Sequence, residues 1–265
     1  MSTKPASKAI AANPDHEALG LLLSQFYLTS FLGALPALES QADAEGWSYR
    51  HFLRQGLEIE AHTREERKLQ RLRKEAQLPE GKTLAALDPG KLTTANRRHL
   101  EELCGGGFVD RAENVRAFGL PGRGKTHYLS AVGHELIYRQ QRRVWFTPTY
   151  KLVQRLLEAK RELRLEALLR KLDLFEVIIL DDLGYLQQSR EEMEVLFTFF
   201  AERYERRSVM ISSNLVFSKW EQIFHDPMTA MAAIDRLVHH SVILEFGGES
   251  HRSSSKTNSS RTERA

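Results

Sequence analysis

From Glu17 to about Asp110 the apolar residues recur at helical spacing, as in Leu19, Leu22, Leu23 and Phe26 and again in Trp47, Phe52, Leu53 and Leu57. An all-helical N-terminal domain is expected there. Beyond Asp110 the pattern changes to short apolar or β-branched runs at 115–118, 144–146, 177–180, 209–212 and 242–246. Between them lie longer segments with apolar residues three and four apart, predicting helices over 125–139, 150–171, 190–206 and 228–239. Such alternation predicts an α/β fold, a parallel sheet sandwiched by helices. Residues 1–16 and 250–265 lack apolar periodicity and are expected to be disordered tails, so the domains are 17–110 and 111–249. No internal repeat is present.

Composition narrows the picture. With 265 residues and 42% hydrophobic content, the chain can bury one good core and a second, smaller one. The 38 Lys and Arg against 35 Asp and Glu leave a net charge of only +3, so any nucleic-acid surface must be local. The single cysteine, Cys104, cannot form an internal disulfide and reads as a packing residue in a reducing compartment. No apolar run approaches a membrane span and no signal peptide is recognisable, so no membrane association and a cytoplasmic location are expected.

The chemistry concentrates after the first strand. Gly119-Leu120-Pro121-Gly122-Arg123-Gly124-Lys125-Thr126, followed by His127, stands between that strand and a helix, the context a phosphate loop requires. Its glycines let backbone amides close around a β-phosphate, Lys125 reaches the β and γ oxygens, and Thr126 ligates magnesium. ATP and Mg²⁺ are the expected ligands. Arg123 is expected to face solvent. Asp181, at the end of the run Val177-Ile178-Ile179-Leu180, is the candidate metal-side carboxylate. By strand alternation its neighbour Asp182 should emerge on the other side and polarise the attacking water. Asn214 follows the strand at 209–212 and can orient that water if the strand lies between the other two. Paired acids and an Asn after strands also serve as turn formers.

These motifs, with Ile179-Leu180-Asp181-Asp182-Leu183-Gly184-Tyr185-Leu186, Ser212-Ser213-Asn214-Leu215, Phe217, Trp220 and Ile234-Asp235-Arg236-Leu237 before His239-His240, resemble the IstB-like AAA+ family. The likeness runs from about Leu19 to Arg252 and includes Trp47-Ser48-Tyr49, Lys82-Thr83-Leu84 and Glu113-Asn114-Val115. It implies a bacterial ATPase helper of an insertion-sequence transposase, acting as a homo-oligomer on duplex DNA with ATP between subunits. Arg236 matches the arginine that reaches the γ-phosphate of the neighbouring subunit; without the resemblance it reads as a helix-surface arginine. Two departures stand out: Asp182 where AAA+ proteins usually carry glutamate, and a chain that ends too soon after Phe246 for a C-terminal helical lid. Losing a methylene retracts the carboxylate by about 1.5 Å, so slow hydrolysis is expected.

Arg64, Arg67, Lys68 and Arg71 share one face of a helix and form a basic stripe able to track phosphates without reading bases. The same stripe can equally be a solvated face laced with Glu–Arg pairs. A helicase loader and a weakly hydrolysing nucleotide-gated DNA clamp are the alternative functions. A small-molecule kinase is disfavoured by Asn214 and Arg236.

Overall fold

The computed structural model describes residues 14–184, 189–214 and 241–247. The chain divides into two compact units, Met1–Gln70 and Arg71–Ala265. Residues 71–110, grouped by their periodicity with the N-terminal helices, cluster with the unit that holds the sheet.

The first unit is built from α1 (Pro14–Gln25), α2 (Thr29–Glu45) and most of α3 (Tyr49–Ala76). Helix α1 begins at Pro14, a favoured first helical position, so residues 14–16 are helical rather than part of a tail. The unit closes on Leu23, Phe31, Leu35 and Leu38, with Trp47, Phe52 and Ile59 packed around them. Gly56 lets α3 approach α2 closely, since a Cβ there would lie 2.2 Å from the Phe31 ring. Leu28 gives α2 no side-chain cap. That function falls to Glu60 of α3, whose buried carboxylate accepts from the amides of Ser30 (2.7 Å) and Phe31 (3.1 Å). Arg64 then donates to Glu60 (2.7 Å) and to the carbonyl of Tyr27 (2.7 Å).

In the second unit, a 3₁₀ turn (Pro89–Lys91), α4 (Thr94–Cys104) and α5 (Gly107–Asp110) precede the α/β elements. These are β1 (Asn114–Gly119), α6 (Lys125–Gln140), β2 (Val144–Pro148), α7 (Thr149–Arg161), α8 (Leu165–Leu172), β3 (Val177–Leu183), α9 (Arg190–Arg203), β4 (Ser208–Ser213) and β5 (Ser241–Phe246). The strands pair in parallel in the order β2-β3-β4-β1-β5. Each begins within a few residues of its expected position; β1 to β4 are buried on both faces over most of their length, whereas β5 leaves Ile243 and Glu245 exposed on one. Ile178 and Leu180 pack with α7, α8 and α9, whereas Ile179 faces α6, where a Cβ on Gly133 would come within 2.9 Å of it.

The segment expected as one helix over 150–171 is two. Leu163, 95% exposed, takes a left-handed φ of 57° between α7 and α8. The turn redirects Leu165, Leu168 and Leu169 of α8 onto the same core as Leu152 and Leu156 of α7. Arg203, at the end of α9, is buried and donates to the carbonyls of Leu172, Phe175, Glu176 and Ser208, tying the entries of β3 and β4 together. Burial lowers its guanidinium pKa to about 9. The expected helix at 228–239 lies outside the described residues.

Candidate nucleotide site

Strand β1 delivers the chain to a loop of three glycines in backbone conformations that disfavour side chains: Gly119 (φ 146°), Gly122 (79°) and Gly124 (90°). A Cβ on Gly119 would sit 2.2 Å from the carbonyl oxygen of Phe246, so β5 closes directly over the loop. Gly124 caps α6, and Lys125 is its first residue. The first turn of α6 is fixed from behind. Tyr128 donates to the carbonyl of Asn96 (2.8 Å), and its ring meets Phe246 edge-on at 5.5 Å. The Asn96 amide donates to the carbonyl of Glu245 (2.9 Å), so α4 and β5 hold the loop helix jointly.

Of the residues expected to carry the chemistry, Lys125, Thr126, Asp181, Asp182 and Asn214 converge. Lys125, only 5% exposed, donates to the carbonyls of Gly119 (2.6 Å) and Leu120 (3.0 Å) and to Oδ1 of Asn214 (2.8 Å). Strand β4 lies between β1 and β3, the order that aims Asn214 at the loop. Thr126 donates to Oδ1 of Asp181 (2.8 Å), and Thr149 donates to the Asp181 carbonyl (2.9 Å). A cavity of about 430 Å³ opens over these groups, lined by Pro121 to His127, Asp181, Asp182 and Asn214. Its other wall is Lys82, Ala86, Leu87, Asp88, Lys91 and Leu92. The Thr83 carbonyl lies 3.0 Å from His127 Nε2 and can only accept, so that nitrogen carries the proton. Leu120 contributes its carbonyl, while its side chain is 62% exposed.

Two expectations are corrected. Asp182 does not emerge on the far side of the sheet. Leu180 pairs with Ile211 and Leu183 with Ser213, so Asp181 and Asp182 together oppose Ser212 alone. This bulge, with Asp182 at a left-handed φ of 57°, breaks the alternation and brings both acids to one cavity. Arg123 is half-buried rather than solvated. Its Nη1 is enclosed without a hydrogen-bond partner beside the cavity, an orphaned donor of the type an anion satisfies.

The donor set suits magnesium. Thr126 and Asp181 offer hard oxygen donors side by side, and among the described residues no group of three or more His, Cys, Asp or Glu could hold a metal alone. Mg²⁺ commonly uses one or two protein oxygens and completes its shell with water and substrate phosphates. Arg64, Arg67, Lys68 and Arg71 are all exposed on α3, but Arg64 is engaged by Glu60 and Tyr27. Arg236, together with Phe217, Trp220, His239 and His240, lies outside the described residues. Among the described residues no helix is long and apolar enough to cross a membrane.

Pattern reasoning missed the roles of Ser212, Thr149 and the 82–92 wall; of these Ser212 and Lys82-Thr83-Leu84 carried a signal, through the resemblance. The sequence model of the IstB-like ATP binding protein family matches residues 21–259. An insertion sequence ATP-binding protein of Sinorhizobium fredii is 40% identical over 239 residues, covering 90% of this chain and 80% of its own. The insertion sequence IS21 ATP-binding protein of Pseudomonas aeruginosa is 39% identical over 237 residues, 89% of each chain. Among solved structures, the DnaC helicase loader superposes with a TM-score of 0.52 at 20% identity, covering 63% of this chain and 98% of the loader. That likeness is one of fold.

Proposed function

Since the chain belongs to the family of IstB-like ATP-binding proteins, we propose that this P-loop AAA+ protein of insertion-sequence transposition hydrolyses ATP as an oligomer on duplex DNA and recruits or stimulates a transposase. The observation that carries the hydrolytic part is the convergence of Lys125, Thr126, Asp181, Asp182 and Asn214 on one cavity.

In this reading the loop amides and Lys125 hold the β- and γ-phosphates of ATP. Thr126 and Asp181 would hold Mg²⁺, which neutralises charge developing on the phosphate oxygens. Asp182 accepts a proton from water as the water oxygen bonds to the γ-phosphorus and the bond to the β-γ bridging oxygen breaks, giving ADP and phosphate. Asn214 orients that water and Arg123 supplies a further positive group at the cavity edge. Arg236 reaches the γ-phosphate held by a neighbouring subunit. The exposed Arg67, Lys68 and Arg71 track DNA phosphates, and Arg64 contributes less because Glu60 already binds it. A second reading, a nucleotide-gated clamp with slow turnover, is favoured by the short side chain of Asp182.

The test combines ATPase rate with particle size for wild type and Arg236→Ala, with and without duplex DNA at two salt concentrations. The proposal expects ATP and DNA to drive large assemblies that weaken as salt rises, and Arg236→Ala to bind ATP without turning it over. A monomer indifferent to DNA that hydrolyses ATP equally well without Arg236 would sink it.

A further inference from the structure

Ser212 stands where the two acids meet. It is fully buried in β4, with backbone pairing to Ala117 of β1 on one side and the bulge of β3 on the other. Its hydroxyl accepts from the backbone amide of Asp182 at 2.9 Å and lies 2.5 Å from Oδ1 of Asp181. The direction of both bonds is fixed. An amide only donates and a carboxylate only accepts, so the hydroxyl proton of Ser212 must go to Asp181.

The surroundings explain why a side chain is needed. At a bulge two residues face one, and the partner strand cannot satisfy both with backbone groups. A non-glycine residue in the left-handed region costs about 1–2 kcal/mol and persists only where neighbours hold it. Ser212 supplies the acceptor the Asp182 amide needs there, while Ser213 donates to the carbonyl of Leu183 (2.8 Å) and closes the ladder beyond the bulge. On the Asp181 side, Thr126 and Ser212 bind the same oxygen, so the carboxylate is fixed from the phosphate loop and from β4 at once.

We propose that Ser212 is a positioning residue for both acids: its one hydroxyl orients the Asp181 carboxylate toward Thr126 and holds the Asp182 backbone in the turn that brings the second carboxylate to the same cavity. This rests on the hydrolytic reading above. It also links Asn214, just past the end of β4, to the acids on β3, so the strand that positions the water positions its base.

The test uses the full chain with Ser212→Ala, and with Ser212→Thr and Ser212→Val, which share a shape and differ in the hydroxyl. Two quantities are read: ATP turnover as a function of Mg²⁺, and affinity for a fluorescent ATP analogue with and without Mg²⁺. For Ser212→Ala, affinity without metal should stay within about twofold while turnover falls about a hundredfold, the order expected for a misplaced reacting group. The Mg²⁺ needed for half-maximal turnover should rise about tenfold, the scale seen when groups supporting metal ligands are lost. Thr should restore both readouts and Val neither. If Ala and Val match the wild type in turnover and metal requirement, the positioning role is wrong even though the hydrolytic reading stands. If wild type binds nucleotide but does not hydrolyse it, the hydrolytic reading fails and the metal dependence of affinity decides: its loss in Ala and Val supports the role, its persistence overturns it. Should Ala fold poorly, the Thr–Val pair carries the same comparison.

Discussion

Replacing Glu60 by Ala removes the group that caps helix α2 from a neighbouring helix. The buried amide of Phe31 loses its acceptor, costing about 1–3 kcal/mol, and the part-buried amide of Ser30 loses a bond worth about 0.5–1.5 kcal/mol. Arg64 is half exposed, so its ion pair adds about 0.5 kcal/mol. Against this, Ala no longer buries a carboxylate, which leaves a net loss of about 2 kcal/mol. Amide hydrogen exchange over α2 measures it directly, and this loss corresponds to about a thirtyfold drop in protection. The effect depends on pH with a definite sign. Burial alone would raise the Glu60 pKa, but the Phe31 amide, Arg64 and the Ser30 amide together lower it below its usual 4.5. A depressed folded pKa means the stabilisation is complete above the unfolded value and disappears as pH falls through the folded one. Wild type and Glu60→Ala should therefore differ at neutral pH and converge in acid. Unchanged α2 protection at pH 7, or a difference that persists undiminished in strong acid, would refute the reasoning.

Two further perturbations probe the site. Asp182→Asn keeps a residue that tolerates the left-handed turn, so the fold and ATP affinity should survive while turnover falls by about 10²–10⁴; equal turnover in a steady-state assay removes Asp182 as the base. Gly119→Ala forces a Cβ against the Phe246 carbonyl at a φ that side chains rarely adopt, so a loss of about 3 kcal/mol or more, read by thermal melting, should accompany lost ATP binding.

How much of this could be read from the chain depends on whether the cause is local. The five strands were legible because their β-branched runs are short and bounded, and the phosphate loop because its glycines sit at fixed spacing between a strand and a helix. The place of β4 between β1 and β3 stood only as a condition on the role of Asn214, and the sheet order meets it. The break at Leu163 carries no glycine or proline, because burying the apolar face of α8 sets it rather than local preference. Asp182 was assigned to the wrong side because alternation holds only while pairing is one to one, and a bulge leaves little mark on composition. Ser212 read as the last residue of a strand, and its type gave no sign that its hydroxyl serves the two acids of β3. Arg64 read as part of a basic stripe or of i,i+4 Glu–Arg pairs; its pair with Glu60 is of the second kind, and only its bond to the Tyr27 carbonyl ties α3 to the turn between α1 and α2.

The bulge also shapes what mutation can reach. With Leu180 matched to Ile211 and Leu183 to Ser213, β3 carries one residue more than β4 between them, Asp181 and Asp182 against Ser212. Losing the Asp182 codon would straighten the strand, keep Leu183 opposite Ser213 and leave Asp181 beside Thr126. A lineage can thus discard the second acid in one in-frame step, which under the hydrolytic proposal leaves a protein that binds nucleotide without its base, and regain it by one insertion without re-registering the sheet.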